Sequence, residues 1–221
     1  MTVSEAVKSR KSTRAFLDKP VEKEVLNRLF DIARFAPSGH NVQPWEVLVL
    51  TGKTKQKLSN ALVEAVKSGV ERQYDYIYEV KDMPQYIKDR RKACNTRVFE
   101  FKHLDTKDKA ALQEHILENF RFFNAPVELL LLREKNLGEN TFIDIGIMAQ
   151  TIMLLALDFG LATCPKTSIA AYAPVIKKTL DIPDTKMIVM GISLGYPDNS
   201  AYINKLTMDR IAVEDFVTFL D

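Results

Sequence analysis

The 221 residues are enough for one full-sized domain with its own core, and no Gly, Ser or Pro-rich linker divides them. With 31 basic against 29 acidic side chains, the chain has no long-range pull toward nucleic acid or an anionic membrane, so any basic site must be local. Cys94 and Cys164 have neither metal nor paired spacing, the stretch from Met1 to Arg14 lacks the apolar core of a signal peptide, and the apolar run Ile145 to Leu157 is shorter than the ~20 residues that cross a bilayer. The expectation is a cytoplasmic protein with reduced thiols and no membrane segment.

In chain order, Thr2 with Glu5 fits a capping box for a short first helix carrying Val3, Ala6 and Val7. The basic run Ser9 to Arg14 follows. In an extended segment Arg10, Ser12 and Arg14 point to one side, which suits a phosphate clamp; a solvated basic arm is the plainer meaning. From Pro20 a helix carries Val25, Leu26, Leu29, Phe30 and Ala33 on one stripe and stops at Pro37. The loop Ala36 to Trp45 is stiffened by Pro37 and Pro44 and holds Ser38, Gly39, His40, Asn41 and Gln43. It reads either as a small polar binding surface or as an ordinary helix-to-strand connection.

Val47 to Leu50 reads as a buried strand, and Thr54 to Ser68 as an amphipathic helix ended by Gly69. The stretch Val70 to Leu104, crowded with Tyr74, Tyr76, Tyr78, Tyr86, Arg90 and Arg91, is the least regular, and a lid or substrate wall is one reading of it. A helix over about 107–123 leads to a second buried strand, Val127 to Leu132. Thr141 to Phe159 is apolar nearly all round, as in a helix buried at the middle of a domain. Pro165, Lys166, Thr167 and Ser168 form a second polar, proline-led loop, and Pro174 to Leu180 a short helix. Met187 to Gly195 is the third strand. The tail holds Asn204, Lys205 and Arg210, then Val213, Phe216, Val217 and Leu220, which would dock on a neighbour or on its own core. The whole predicts an α+β fold: a mixed central sheet flanked by helices around one long buried helix, in a single domain over 1–221. The segment 70–123 is a lid-like helical excursion and 200–221 a C-terminal arm.

The usual dinucleotide and nucleotide-triphosphate glycine loops are absent. His40, His103 and His115 have no metal spacing, so no metal is expected. His103 and His115 read as packing or surface residues, His40 as a candidate ligand contact, and Cys164 as an inert buried thiol. No carboxylate pair stands out for acid-base work.

Four ordered segments, Arg10-Lys11-Ser12-Thr13-Arg14, Ala36-Pro37-Ser38-Gly39-His40-Asn41-Val42-Gln43-Pro44-Trp45, Gly160-Leu161-Ala162-Thr163-Cys164-Pro165 and Gly191-Ile192-Ser193-Leu194-Gly195-Tyr196-Pro197, resemble the FMN-dependent nitroreductase family over nearly the whole chain. Asn119 to Pro126 and the arm Asn204 to Arg210 are similar to its nitrobenzoate-reductase-like branch. The resemblance implies an intertwined homodimer with FMN at the interface. Arg10, Ser12 and Arg210 would be near its phosphate and Arg14 near the N1 and O2 edge of the ring. Pro37, Ser38 and Asn41 would come from the second subunit, with Thr167 and Ser168 presenting backbone near N5, and Lys11, Gly39, Pro165 and Lys166 would belong to the same cofactor-binding set. It further implies NAD(P)H as hydride donor and small electron-poor acceptors such as nitroaromatics or quinones, in ping-pong turnover. This chain has Met208 where many relatives carry lysine, which brings in Lys205 as a substitute. It also has Thr167-Ser168 where Glu-Gly is frequent. Reductive dehalogenation and a non-catalytic flavin-binding or redox-sensing role are the alternatives on the same fold; a nucleic-acid module built on Lys8 to Arg14 has no recognised motif behind it.

Overall fold

The elements of the computed structural model, which describes residues 1–78 and 82–220, are α1 (Val3–Ser9), α2 (Lys23–Ala33), β1 (Glu46–Thr51), α3 (Gly52–Lys67), α4 (Gln85–Phe101), α5 (Lys109–Phe120), β2 (Val127–Glu134), α6 (Thr141–Asp158), β3 (Ala162–Lys166), α7 (Ala173–Leu180) and β4 (Lys186–Gly195). The sheet order is β1-β2-β4-β3, with every strand pair antiparallel. A mixed sheet was expected; parallel pairing enters only at the isolated bridges Ser12–Thr163 and Gln73–Tyr172.

Strand β2 is buried along nearly its whole length because helices cover both faces of the sheet. Val127, Leu129 and Leu131 turn toward α2 and α6 and join one core with Leu29, Ile145, Met148 and Ile152. Leu130 and Leu132 turn the other way, onto Leu58 and Leu62 of α3, Phe120 of α5 and Ile176 of α7. Between Leu131 and Leu132 the β2–β4 register slips, leaving Val189 without a partner across the ladder. This bulge switches the facing of β4: Val189 and Ile192 end in the same core although they are three positions apart. Tyr76 donates its hydroxyl to the freed Val189 carbonyl at 2.8 Å, and burial pushes that phenol up to about 12.

Three expectations need correction. Strand β1, expected to be buried, has only Leu50 buried and leaves Val49 exposed. Pro165 and Lys166, expected in a loop, end strand β3; Pro165 is tolerated because β3 lies at the edge of the described sheet. Within the expected helical excursion over 70–123, the irregular stretch after Val70 contains a 17-residue helix, α4, whose polarity hid its periodicity. Helix α6 is buried on one side only. Its 18 residues, of mean hydropathy 1.5, are long and apolar enough to cross a membrane by composition. Here, however, Ile145, Met148, Ile152 and Ala156 pack into the core while the stripe Ile143, Gly146, Gln150, Leu154 and Leu157 remains wholly or partly open.

Asp75 fastens the tyrosine-rich segment to the sheet. Its carboxylate accepts from Lys177 at 2.8 Å and from the Ile188 N–H at 3.0 Å, with Lys135 at 3.1 Å. Burial alone would raise this carboxyl, but the bonds from Lys177, Ile188 and Lys135 outweigh it and hold it below the usual range. A depressed carboxyl stabilises the fold above its unfolded pKa, and that stabilisation is lost as pH falls through the folded value. Asp75→Asn is expected to cost about 2 kcal/mol at neutral pH and to shrink the acid-induced loss of stability, both read by urea titration across pH.

Candidate functional site

The basic arm lies across the start of β3. Ser12 bridges Thr163, and the Thr13 N–H donates to the Thr163 carbonyl at 2.9 Å. Asn204, buried, clamps the arm from the other side. Its Oδ1 accepts from the Arg14 and Ala15 N–H groups at 2.9 and 3.2 Å, and its Nδ2 donates to the carbonyls of Ala15 and Asp198 at 2.7 and 2.8 Å. Lys11 donates to the Asn204 carbonyl. Arg10 and Lys11 line a cleft of about 220 Å³ with Thr13, Leu157, Gly160 and Thr163, at the C-terminal end of α6. Among the described residues neither Arg10 nor Arg14 has an ion-pair partner; Arg14 reaches only the Ser12 carbonyl, at 3.3 Å. Two guanidinium groups without counter-charge on a backbone held this firmly fit an anion such as a phosphomonoester.

Along β3 the chemistry changes from open to closed. Burial pushes the Cys164 thiol up, against the pull of the Lys166 and Arg14 cations and the Ser12 hydroxyl, so Cys164 is a poor nucleophile. Lys166, expected among the cofactor-binding residues, has its side chain committed elsewhere. Its ammonium is buried against Glu128 at 2.7 Å and donates to the Ser193 hydroxyl, which itself donates to Glu128 Oε2 at 2.8 Å. The rings of Phe122 and Phe123 lie 5.2 and 5.8 Å from it. Only the backbone at Lys166 can serve a ligand. A Cβ on Gly191 would collide with Glu128 Oε1 and Ile169, so the absent side chain makes room for the pair. Burial raises the Glu128 carboxyl, with the Lys166 charge opposing it.

Beyond β3, Thr167 is exposed and Ser168 half-buried at the start of a short 3-10 turn. The Thr167 hydroxyl donates to Tyr78 at 3.2 Å, and Tyr78 stacks on Tyr74 at 4.5 Å. Tyr76 packs edge-on to Phe142 of α6 at 5.3 Å. An aromatic wall therefore stands beside the Thr167–Ser168 backbone.

The Ser38–Gln43 loop is elsewhere. His40, Asn41 and Gln43 all have positive φ, a strained arrangement held by Gln43 N–H donating to the Ser38 hydroxyl at 2.9 Å and Gly39 N–H donating to Asp144 at 3.0 Å. Asp144 lies near the N-terminus of α6, whereas Arg10 and Lys11 lie at the C-terminal end. The thirteen helical steps from Asp144 to Leu157 amount to about 20 Å of helix. Within one chain the structure does not bring Pro37, Ser38, Gly39 and Asn41 to the basic arm. It also turns Arg210 back onto the Met208 and Asp209 carbonyls, at 2.8 and 3.0 Å, and leaves Lys205 exposed over Tyr202.

Sequence reasoning missed the clamp made by Asn204, the Glu128–Ser193–Lys166 cluster and the anchor Asp144. A single acid inside the apolar run Val127 to Leu132 was the readable sign of the second. The other two depend on contacts across more than 100 residues, which no local pattern reports.

Comparison with known proteins places the chain. The nitroreductase family model matches residues 7–196, and the chain belongs to that family. It is 36% identical to a 4-nitrobenzoate reductase of Pseudomonas putida, over 97% of this chain and 93% of that protein. It is 33% identical to a chloronitrobenzene nitroreductase of Comamonas testosteroni, over 99% and 96%. Among solved structures it superposes on the FMN and NADPH-dependent nitroreductase NfnB from Sphigopyxis sp. strain HMH with a TM-score of 0.97 at 31% identity, covering all of both chains.

Proposed function

We propose that the protein is an FMN-dependent NAD(P)H oxidoreductase that reduces nitroaromatics and similar electron-poor acceptors, in alternating half-reactions at one site built from two copies of the chain. Near-complete alignment with nitroaromatic reductases, together with an unpaired basic arm, carries this reading. Held at the arm, FMN would supply the redox chemistry that links the nucleotide donor to the acceptor.

The chain's own residues bind and orient. Arg10 and Ser12 would hold the phosphate of FMN, joined by Lys205 and Arg210 from the closing arm, and Arg14 would place a positive charge beside the ring edge. Pro165 to Ser168 offer backbone groups at the ring, fixed because β3 is pinned by the buried Lys166. Tyr74, Tyr76 and Tyr78 wall the face a flat substrate enters, which makes the 70–123 excursion a substrate wall.

Homodimer formation is supported by what one chain leaves uncovered. Phe35 and Val42 beside the Ser38 loop, Ile143 on α6, and the tail residues Phe219 (87% exposed) and Leu220 (91%) are apolar and exposed. Burying these faces against a second copy delivers the partner loop to the arm that its own chain cannot reach. Reduced thiols at Cys94 and Cys164 fit a cytoplasmic setting.

The purified protein is expected to show a flavin absorption spectrum, or to acquire one with FMN, and to bleach on anaerobic NAD(P)H. A protein that takes up no flavin refutes the reading. A flavin that binds but is not reduced favours a non-catalytic flavoprotein instead.

A further inference from the structure

Residues 38–43 hold a backbone that local preference alone does not select. His40, Asn41 and Gln43 have φ of 49°, 55° and 46°; asparagine and histidine enter this left-handed region more readily than most residues, whereas Gln43 has to be held there. Most of the bonds that hold it stay inside the loop. Asn41 N–H donates to the Ser38 carbonyl and Val42 N–H to the Gly39 carbonyl, both at 3.0 Å, while Gln43 donates its N–H to the Ser38 hydroxyl at 2.9 Å and its Nε2 to the Asn41 carbonyl at 3.1 Å. Gly39 to Gln43 are exposed, so water competes for each of these bonds. Among the described residues, the one hydrogen bond that leaves the loop runs from the Gly39 N–H to Asp144 Oδ1, at 3.0 Å.

Asp144 is a costly acceptor to place there. Its side chain is only 5% exposed, Oδ2 has no hydrogen-bond partner, and no cation pairs with it among the described residues. A carboxylate withdrawn from water needs compensation, which here comes from the Gly39 N–H and from the first turn of α6, whose free N–H groups favour negative charge. The adjacent Ile143 faces outward and is 67% exposed, on the side of α6 proposed to meet a second copy. One turn of helix thus carries both an apolar contact for that copy and the tie that fixes the loop beside it.

We infer that Asp144 is a positioning residue for the cofactor: through Gly39 it holds the Ser38–Gln43 loop in its left-handed conformation on α6, so that Ser38 and Asn41 meet the FMN of the second copy already ordered. The inference rests on the two-copy site proposed above. A loop that is ordered only part of the time binds in proportion to its ordered fraction, so losing the tie weakens FMN without removing any group that touches it.

The test compares Asp144→Ala, Asp144→Asn and Ile152→Val, the last a core change on the same helix that leaves the loop alone. In the flavin-free protein, hydrogen exchange of the peptide spanning 36–44 should quicken about tenfold in Asp144→Ala and stay near native in the other two. FMN titration of the same proteins, followed by flavin fluorescence, should give about tenfold weaker binding for Asp144→Ala and unchanged binding for Ile152→Val. Asp144→Asn should stay within about threefold of native, because an amide oxygen still accepts from the Gly39 N–H. In a background carrying Ser38→Ala and Asn41→Gly, where the loop has lost its contacts, Asp144→Ala should weaken FMN no further. Native loop exchange in Asp144→Ala, equal losses in the alanine and asparagine variants, a loss shared by Ile152→Val, or a full further loss in the loop-deficient background each overturns the inference. Absence of flavin binding in every variant and in the native protein refutes the proposed function instead, and loop exchange, which needs no flavin, still decides whether Asp144 orders the loop.

Discussion

Replacing Lys166 with methionine is expected to cost about 3–5 kcal/mol of folding stability and to lower the melting temperature by roughly 10 °C. The variant leaves the Glu128 carboxylate fully buried with only the Ser193 hydroxyl beside it, since Glu128 Oε1 already lacks a hydrogen-bond partner. The pH dependence identifies the cause. A carboxyl whose folded pKa is raised contributes stability that is present below its unfolded pKa and lost as pH rises through the folded one. Without the ammonium of Lys166, Glu128 rises further, so the deficit of Lys166→Met should be largest near neutral pH and shrink on acidification. Pairing the change with Glu128→Leu removes the unpaired charge and should restore most of the loss. Denaturant titration of the three variants across pH checks this; a double variant as unstable as the single would show that packing, not charge, is at stake.

The second large effect is on the cofactor. Arg10→Ala with Arg14→Ala removes two cations that have no ion-pair partner in the described chain, leaving Lys205 and Arg210 of the closing arm and Lys11, whose ammonium is drawn to the Asn204 carbonyl. A charge-assisted bond to phosphate is worth about 1.5–3 kcal/mol, so FMN affinity should fall by roughly 10- to 100-fold per lost contact. The two residues should also separate. Arg10→Ala alone is expected to act chiefly on FMN retention, and Arg14→Ala on the rate of flavin reduction by NAD(P)H, because the ring edge next to it gains negative charge. Flavin retention and stopped-flow reduction measure the two. Equal effects on retention alone would count against these positions. The fold should survive, since the arm is held by backbone bonds to Thr163 and Asn204 that neither substitution touches.

Much of this was legible in the residues themselves. The capping box of Thr2 and Glu5, the apolar runs of β2 and β4 and the stripes of α2 and α3 are local signals, and each became the element it announced, whereas the β1 run became a strand that is only partly buried. Strand β3 was obscured by Pro165, because a proline in a run normally argues against pairing unless the strand lies at an edge, and edge position is a property of the sheet. Helix α4 was obscured by its polarity: with Val98 as its one buried residue, it shows little apolar periodicity. At the site, charge was easier to see than commitment. Arg10 and Lys166 look alike in sequence, yet one lines an open cleft and the other is locked to a buried glutamate, a difference created by the facing of β2, β3 and β4. The open face of α6 was illegible for a related reason. An all-apolar helix reads the same whether its own domain or a second copy covers the far side.

The sharing of one site between two chains can be measured directly by subunit complementation. One parent carries Arg10→Ala and Arg14→Ala in the arm. The other carries Ser38→Ala and Asn41→Gly in the loop, glycine being chosen because Asn41 has φ of 55°. Each homodimer should hold little FMN and turn over slowly. In a heterodimer purified through two different tags, one site inherits both defects and the other neither, so FMN content and NADPH-driven nitroaromatic reduction should return to about half the native level per dimer. If the heterodimer forms yet performs no better than its parents, arm and loop belong to one chain's site and the two-chain architecture is wrong.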